Sequence, residues 1–315
     1  MKILVTGGAG FIGSNFVEMA LRGDFADISE VVVLDKLTYA GKLENLKFAF
    51  GNPSFSFIQG DICDAVVVSK AVEGVDAILN FAAESHVDRS IEDSSEFVRT
   101  NILGVQVLLE ASLKAGIKRF LQVSTDEVYG TIDTGSWNEA EPLLPNSPYA
   151  ASKAAADLLV RSYFRTHKLD VVITRCSNNY GPRQYPEKLI PFFVSRLVKG
   201  EKVPIYGDGM NVRDWLHVED HCRGIALVLS RGIAGEIYNI GGGTELTNIS
   251  LATKLVKLLG LKTGSIEYVA DRKGHDLRYS VDWSKIASLG YSPLKEWDVG
   301  IAETVESYRE ALKNG

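Results

Sequence analysis

Apolar and polar positions fall in alternating blocks along this chain. Lys2-Ile3-Leu4-Val5-Thr6 is a short apolar run stopped by glycine, the pattern of a strand buried on both faces. After Gly7-Gly8-Ala9-Gly10-Phe11-Ile12-Gly13, apolar residues recur at helical spacing through Phe16, Val17, Met19, Ala20 and Leu21. A second run, Val31-Val32-Val33-Leu34, ends in Asp35. The unit then repeats: strands are predicted at 55–61, 75–81, 119–123 and 171–175, with helices at 64–72, 94–115 and 149–167 between them. Such alternation predicts an α/β fold, a doubly wound parallel sheet with right-handed crossovers.

Past residue 175 the pattern loosens. Residues 176–184 are polar and turn-rich. Helices are predicted at 187–197, 218–229, 251–259 and 301–312, a strand and turn at 203–209, a buried strand at 237–241, and a polar loop at 271–276. The expected division is a nucleotide-binding domain over 1–175, rejoined by 214–241. A smaller C-terminal lobe over 176–213 and 242–315 then covers the strand ends, where parallel sheets bind ligands. The long helices at 94–115 and 149–167 carry more apolar surface than one sheet face covers. Either they pack within the monomer or, as we expect, they build the helix bundle of a homodimer.

Composition narrows the choice of partner. The 315 residues are 45% hydrophobic and 23% charged, with a net charge of −6, which argues against nucleic acid. Cys63, Cys176 and Cys222 are widely spaced and form no CxxC, the usage of a reducing compartment. The first residues read as a strand rather than a secretory leader, and no apolar run reaches the roughly 20 residues that span a membrane. A cytoplasmic location without membrane contact is expected.

The first block carries a cofactor signal. Strand, glycine turn, helix, strand and acid follow in the order of a Rossmann-type dinucleotide site. Gly7, Gly10 and Gly13 permit a tight turn, approach of a pyrophosphate and close helix packing, and free N–H groups at the helix start favour the anion. Asp35 suits ribose hydroxyls and repels a 2′-phosphate, which favours NAD over NADP. Alternatively the glycines serve only as turn residues. The loop Ala82-Ala83-Glu84-Ser85-His86, of mostly small residues, suits a cofactor crossing it.

Reaction chemistry gathers later. Ser124-Thr125-Asp126-Glu127-Val128-Tyr129-Gly130 follows a predicted strand with a hydroxyl and two adjacent carboxylates. Ser147 suits a helix N-cap and Pro148 the first helical position, so that Tyr149 and Lys153 share one face. A neighbouring ammonium and the helix start both favour a phenolate, which can take a proton from an alcohol. An isolated Asp-Glu pair would be read as a solvated turn; here it accompanies a strand end, a tyrosine and a lysine.

At these residues the chain resembles the extended short-chain dehydrogenase/reductases that act on nucleotide sugars, and among them the dTDP-glucose 4,6-dehydratases, over nearly its whole length. Matching stretches include Thr6 to Gly13, Asp35 to Gly41, Ala83 to Asp88, Ser124 to Gly130, Tyr149 to Lys153, Asn178 to Pro182, Lys188 to Pro191 and Asn211 to Trp215, then Asp271-Arg272 with Gly274-His275-Asp276. The Thr125-Asp126-Glu127 triplet distinguishes dehydratases within the superfamily. The resemblance implies Tyr149, aided by Lys153 and Thr125, as base at a hexose 4-hydroxyl, Glu127 as base at carbon 5, and Asp126 as acid at the departing 6-hydroxyl. It implies NAD contacts from Gly7, Gly10, Phe11, Ile12, Gly13, Asp35, Lys36, Thr38, Asp61, Ile62, Ala82, Ala83, Glu84, Ser85, Thr100, Ser124, Tyr149, Lys153, Cys176 and Asn178. For dTDP-glucose it implies Ser85, His86, Thr125, Asp126, Glu127, Asn178, Lys188, Leu189, Pro204, Tyr206, Arg213, Asn248, Arg272 and His275.

Alternatives stay open: another nucleotide-sugar dehydratase, a 4-epimerase, a UDP-glucuronate decarboxylase, or an NAD-binding regulatory or structural protein. An epimerase needs no carboxylate pair. Arg183 departs from the aromatic residue expected before Gln184 in the dTDP enzymes; arginine there also occurs in related decarboxylases. His217, Glu219, Asp220, His221 and Cys222 do not follow a zinc-binding spacing, and no metal is expected.

Overall fold

The computed structural model describes residues 1–271 and 276–314. Twelve strands run through the described residues: β1 Lys2–Thr6, β2 Glu30–Asp35, β3 Phe55–Gln59, β4 Ala77–Asn80, β5 Arg119–Thr125, β6 Val171–Cys176, β7 Asn178–Tyr180, β8 Val203–Tyr206, β9 Val212–His217, β10 Ile237–Ile240, β11 Glu245–Thr247 and β12 Ile266–Val269. Seven form the main sheet in the order β10-β6-β5-β4-β1-β2-β3, every pairing parallel. The order reverses between β1 and β4, which opens a crevice at their C-terminal ends.

Period-two alternation sorts the strand residues onto two faces. Ile3 and Val5 pack with the helices Phe11–Arg22 and Val218–Arg231. Leu4, Val32 and Ile78 pack on the other face with Ala65–Ala71, Val105–Ala115 and Pro148–His167. Burial on both faces is why these strands read as unbroken apolar runs.

A smaller lobe joins β11-β9-β7 with the pair β12-β8. Its separate core is built with the helices Leu189–Val198, Asn248–Leu258 and Trp297–Asn314. The chain returns to the main sheet after His217, since β9 belongs to the smaller sheet whereas the following helix packs on the main one. Strands β7, β9, β11 and β12 were absent from the pattern-based expectation. β7 and β11 are three residues long, β9 carries Arg213, Asp214 and His217 among its buried apolar residues, and their pairing is set by tertiary packing.

The helix at 148 starts as expected: Ser147 Oγ accepts the N–H of Ala150 at 3.1 Å and Pro148 opens the first turn. The single helix expected at 94–115 is corrected. It is α-helical at Ser95–Val98, a π-turn at Arg99–Gly104 and α-helical again at Val105–Ala115. Two contacts hold the wider turn. Asn101 exchanges hydrogen bonds with the Glu84 backbone at 2.9 and 3.0 Å, and Gly104 lies against Ile62, where a Cβ would meet its Cδ1 at 2.5 Å. Among the described residues, no helix is long and apolar enough to cross a membrane.

Candidate active site

A pocket fills the crevice between β1 and β4. Its floor is the glycine turn. Gly7 adopts φ +69°, and a Cβ there would lie 2.6 Å from the Ala82 nitrogen; one on Gly13 would collide with the Gly7 carbonyl oxygen. At Gly10 a Cβ would meet only that same oxygen, at 3.2 Å, within a helix start that has no side-chain cap. The cradle therefore fits a pyrophosphate against free N–H groups. Asp35 closes β2 beside it. Its carboxylate accepts the N–H groups of Ala9 at 2.9 Å and Leu37 at 2.8 Å, while burial pushes its pKa up. Besides facing the pocket, Asp35 ties the glycine turn to the loop after β2.

Phe11, Ile12, Lys36, Thr38, Ile62, Ala82, Ala83, Glu84, Ser85, Thr100, Ser124, Tyr149, Lys153, Cys176 and Asn178 all line this pocket, as expected for a dinucleotide. Asp61 does not. Its carboxylate accepts the N–H of Cys63 at 2.9 Å and pairs with Lys36 at 2.9 Å. The hydroxyl of Ser124 is buried without a hydrogen-bond partner among the described residues.

At the reactive end, β5 stops at Thr125, whose Oγ1 accepts the Glu127 N–H at 3.3 Å. This cap starts a 3₁₀ turn, Asp126–Tyr129. Neighbouring carboxylates in an extended segment would point to opposite sides. The turn removes that expectation, and both Asp126 and Glu127 line the pocket beside Thr125 and Tyr149. Asp126 is 3% exposed. Burial, then the charges of Glu127 and Asp214, push its pKa well above the usual carboxylate range, with Arg213 opposing. An acid so placed holds its proton more tightly than an exposed carboxylate does.

The expectation for Tyr149 needs correction. Within the protein alone its phenol is pushed well up, by burial first and by Glu127 second, with Thr125 opposing through a hydrogen bond. Lys153 does not offset this. Its ammonium donates to the Val123 carbonyl at 2.7 Å, and burial lowers its own pKa.

The residues expected to contact a nucleotide sugar divide into groups. Ser85, Thr125, Asp126, Glu127, Asn178 and Lys188 line the pocket, and Lys188 Nζ donates to the Ser85 carbonyl at 2.9 Å. His86 does not line it. His86 caps the helix Val87–Glu92 and lies 3.4 Å from Glu187. Leu189, Pro204, Tyr206, Arg213 and Asn248 also lie off its wall, in the smaller lobe. Leu189 packs on the lobe core, Pro204 and Tyr206 sit in β8 paired with β12, and Asn248 starts the helix after β11. Arg213 spends its guanidinium on the carbonyls of Val212 and Asp276, over the Tyr279 ring at 4.4 Å. Arg272 and His275 fall outside the described residues. Arg183 points to the first helix, where it bonds Asn15 at 2.7 Å and pairs with Glu18, so it does not report on the substrate.

Other wall residues had escaped notice. Asn179, Gln184 and Tyr185 line the pocket from the segment after β6, and Ala40 and Gly41 from the loop after β2. Asn101 acts one layer back: its amide donates to Ser152 Oγ at 2.8 Å, and Ser152 to the Tyr149 carbonyl at 2.7 Å. A polar residue inside an apolar helical pattern was its single sequence signal. His217 caps the helix that follows it, and His221 Nδ1 lies 2.8 Å from Asn179 Oδ1, which accounts for both histidines structurally.

The fold and pocket define a dinucleotide-binding α/β enzyme of the short-chain dehydrogenase/reductase type, with an acid pair added at the end of β5. A family model described as GDP-mannose 4,6 dehydratase matches residues 4–304, and the chain belongs to that family. It is 59% identical to a dTDP-glucose 4,6-dehydratase of Actinoplanes sp., over 98% of each chain. The structure superposes with a TM-score of 0.97 on the dTDP-glucose 4,6-dehydratase of Streptomyces venezuelae, solved with NAD and dTDP bound. That protein is 58% identical, with 98% of this chain and 97% of the other covered. A UDP-glucose 4-epimerase of Thermotoga maritima is also similar, at 33% identity, a TM-score of 0.91 and coverage of 99% and 100%.

Proposed function

We propose that this chain is an NAD-dependent dTDP-glucose 4,6-dehydratase, converting dTDP-glucose to dTDP-4-keto-6-deoxyglucose. The observation that carries the reading is the turn Asp126–Tyr129, which brings a carboxyl with a raised pKa and a second carboxyl into the pocket beside Tyr149. Full-length identities of 54–59% to dTDP-glucose 4,6-dehydratases support the substrate.

Bound NAD would rest on Gly7, Gly10 and Gly13 beside Asp35, and supplies a hydride acceptor that is restored within each turnover. Tyr149 takes the proton of the sugar 4-hydroxyl, with Thr125 orienting that oxygen. Bound NAD would also contribute a positive charge that favours the phenolate. The resulting 4-ketone acidifies the carbon 5 proton. Glu127 removes it, and Asp126 gives its proton to the 6-hydroxyl, which leaves as water; the hydride taken from carbon 4 would then return to carbon 6, and carbon 5 would regain a solvent-exchangeable proton. Burial of Asp126 and the greater exposure of Glu127 separate the two carboxyls into acid and base. Lys153 anchors the base helix to β5. The main sheet, with the helix and strand 218–240, serves the nucleotide cofactor and the smaller lobe the sugar nucleotide.

A homodimer through the helices at 95–115 and 148–167 belongs to the same reading, supported by the exposed Val98, Leu103 and Leu158. So does a reducing, cytoplasmic setting, supported by three free cysteines. The experiment is conversion of dTDP-glucose with catalytic NAD in deuterated water. Deuterium at carbon 5 of a 4-keto-6-deoxy product is expected. Turnover of a UDP- or CDP-sugar instead would overturn the substrate, and a 4-epimer without water loss would favour the epimerase reading.

A further inference from the structure

Beneath the reactive turn lies a buried charged network that the reaction itself does not use. Tyr129, the last residue of that turn, is wholly buried and donates its hydroxyl to Asn239 Oδ1 on β10 at 2.9 Å. Arg175 on β6 donates to the same hydroxyl at 2.8 Å, with its guanidinium over the Tyr129 ring at 4.8 Å. Through Nε, Arg175 also donates to Asp157 Oδ2 at 2.9 Å. Asp157 lies one turn beyond Lys153 on the helix Pro148–His167. The pair is 3% and 1% exposed by side chain, and Asp157 Oδ1 has no hydrogen-bond partner among the described residues.

Stability alone does not account for this arrangement. Withdrawing two charges from water often cancels their attraction, and apolar replacements of similar volume are frequently as stable. What the pair adds to the direct packing of Ala154 on Val128 and Tyr129 is geometric. One guanidinium reaches the turn that carries Asp126 and Glu127 and the helix that carries Tyr149 and Lys153. We propose that Arg175, held by Asp157, is a positioning residue that fixes the acid–base turn against the Tyr149–Lys153 helix through the hydroxyl of Tyr129. The role rests on the dehydratase reading above. Asp157 also acts on Lys153 through space, since its charge raises the ammonium pKa against the effect of burial.

The test compares wild type with Tyr129→Phe and with the double variant Asp157→Leu/Arg175→Met, which removes both charges together. The double variant is expected to melt within a few degrees of wild type and to keep KM within about twofold, while kcat falls about 100-fold, the penalty of misplacing a reacting group by about an ångström. Tyr129→Phe should lower kcat about tenfold, with KM unchanged. A double variant that recovers both melting temperature and kcat would overturn the proposal. So would a loss of kcat that merely follows a loss of folded protein and returns on cooling. Crystal structures supply a readout that does not depend on turnover: a turn displaced in the double variant supports the role, and an unmoved turn contradicts it. An inactive wild type with a displaced turn in the variant would count against the dehydratase reading alone.

Discussion

The ammonium of Lys153 donates to the carbonyl oxygen of Val123 at 2.7 Å, from the second turn of a helix to the strand that leads into the reactive turn. This bond spans 30 residues and joins the two elements that hold Tyr149 and Thr125. Lys153→Met should loosen that register as well as remove a charge. Single-turnover formation of NADH should slow by a factor of about 10² to 10⁴, the range for a lost acid–base function. Retained binding of dTDP, measured by calorimetry, would show that the pocket survives. An unchanged rate would sink the role given to Lys153.

Asp126 offers a pH test with a definite sign. Its folded pKa is raised, chiefly by burial and then by Glu127. The folded state therefore holds a proton that the unfolded chain releases near the usual carboxylate pKa of about 4. Its contribution to stability is complete below that pH and is lost as pH rises through the folded value. Asp126→Asn should accordingly raise the melting temperature at pH 8 and have little effect at pH 3.5. The same variant should retain oxidation at carbon 4 and lose elimination, so NADH should accumulate in a single turnover.

Two glycines of one motif should respond differently to the same methyl group. At Gly13 a Cβ collides with the Gly7 carbonyl and lies 2.9 Å from the Gly8 Cα, so the backbone itself must move. Gly13→Ala should destabilise the fold by about 1–3 kcal/mol, the usual range for overpacking. At Gly10 the methyl meets a single backbone oxygen at 3.2 Å and otherwise points into open space. Gly10→Ala should melt like wild type yet weaken NAD binding, which denaturation and calorimetry can separate.

Asp35 has two duties, and its replacement should reveal both. Asp35→Ala leaves the N–H groups of Ala9 and Leu37 without their acceptor. A loss of about 1–3 kcal/mol is expected for such unsatisfied groups. Affinity for NAD should fall through disorder of the turn, and NADP should gain little. Full stability together with tight NADP binding would show that Asp35 acts by charge repulsion alone.

The glycine turn, the acid after β2 and the Ser147 cap were legible because each is a local motif whose residues lie within a few turns of one another. Most of the other cofactor-wall residues came from the family resemblance; they fall on one wall because parallel strands deliver their C-terminal residues to one edge. The sugar-nucleotide contacts were less accessible. Leu189, Pro204, Tyr206, Arg213 and Asn248 come from separate elements of the smaller lobe and do not share the pocket wall. Arg213 and Asn248 are placed by β9 and β11, and Pro204 and Tyr206 by the pairing of β8 with β12; β9, β11 and β12 are short strands without a period that announces them.

By itself, the sequence determined the alternating α/β order, the dinucleotide cradle and the presence of a hydroxyl, two carboxylates, a tyrosine and a lysine at strand and helix ends. These follow from hydrophobic period, backbone freedom at glycine and local capping, all set by neighbours along the chain. Only the tertiary structure decided how the acids stand. The Thr125 cap curls Asp126 and Glu127 into a turn, and burial raises the pKa of Asp126. Burial likewise raises the pKa of Tyr149, and the π-turn at Arg99–Gly104 brings Asn101 to Glu84 and Ser152. Desolvation and long-range hydrogen bonding depend on which distant segments meet, and no local spacing encodes that.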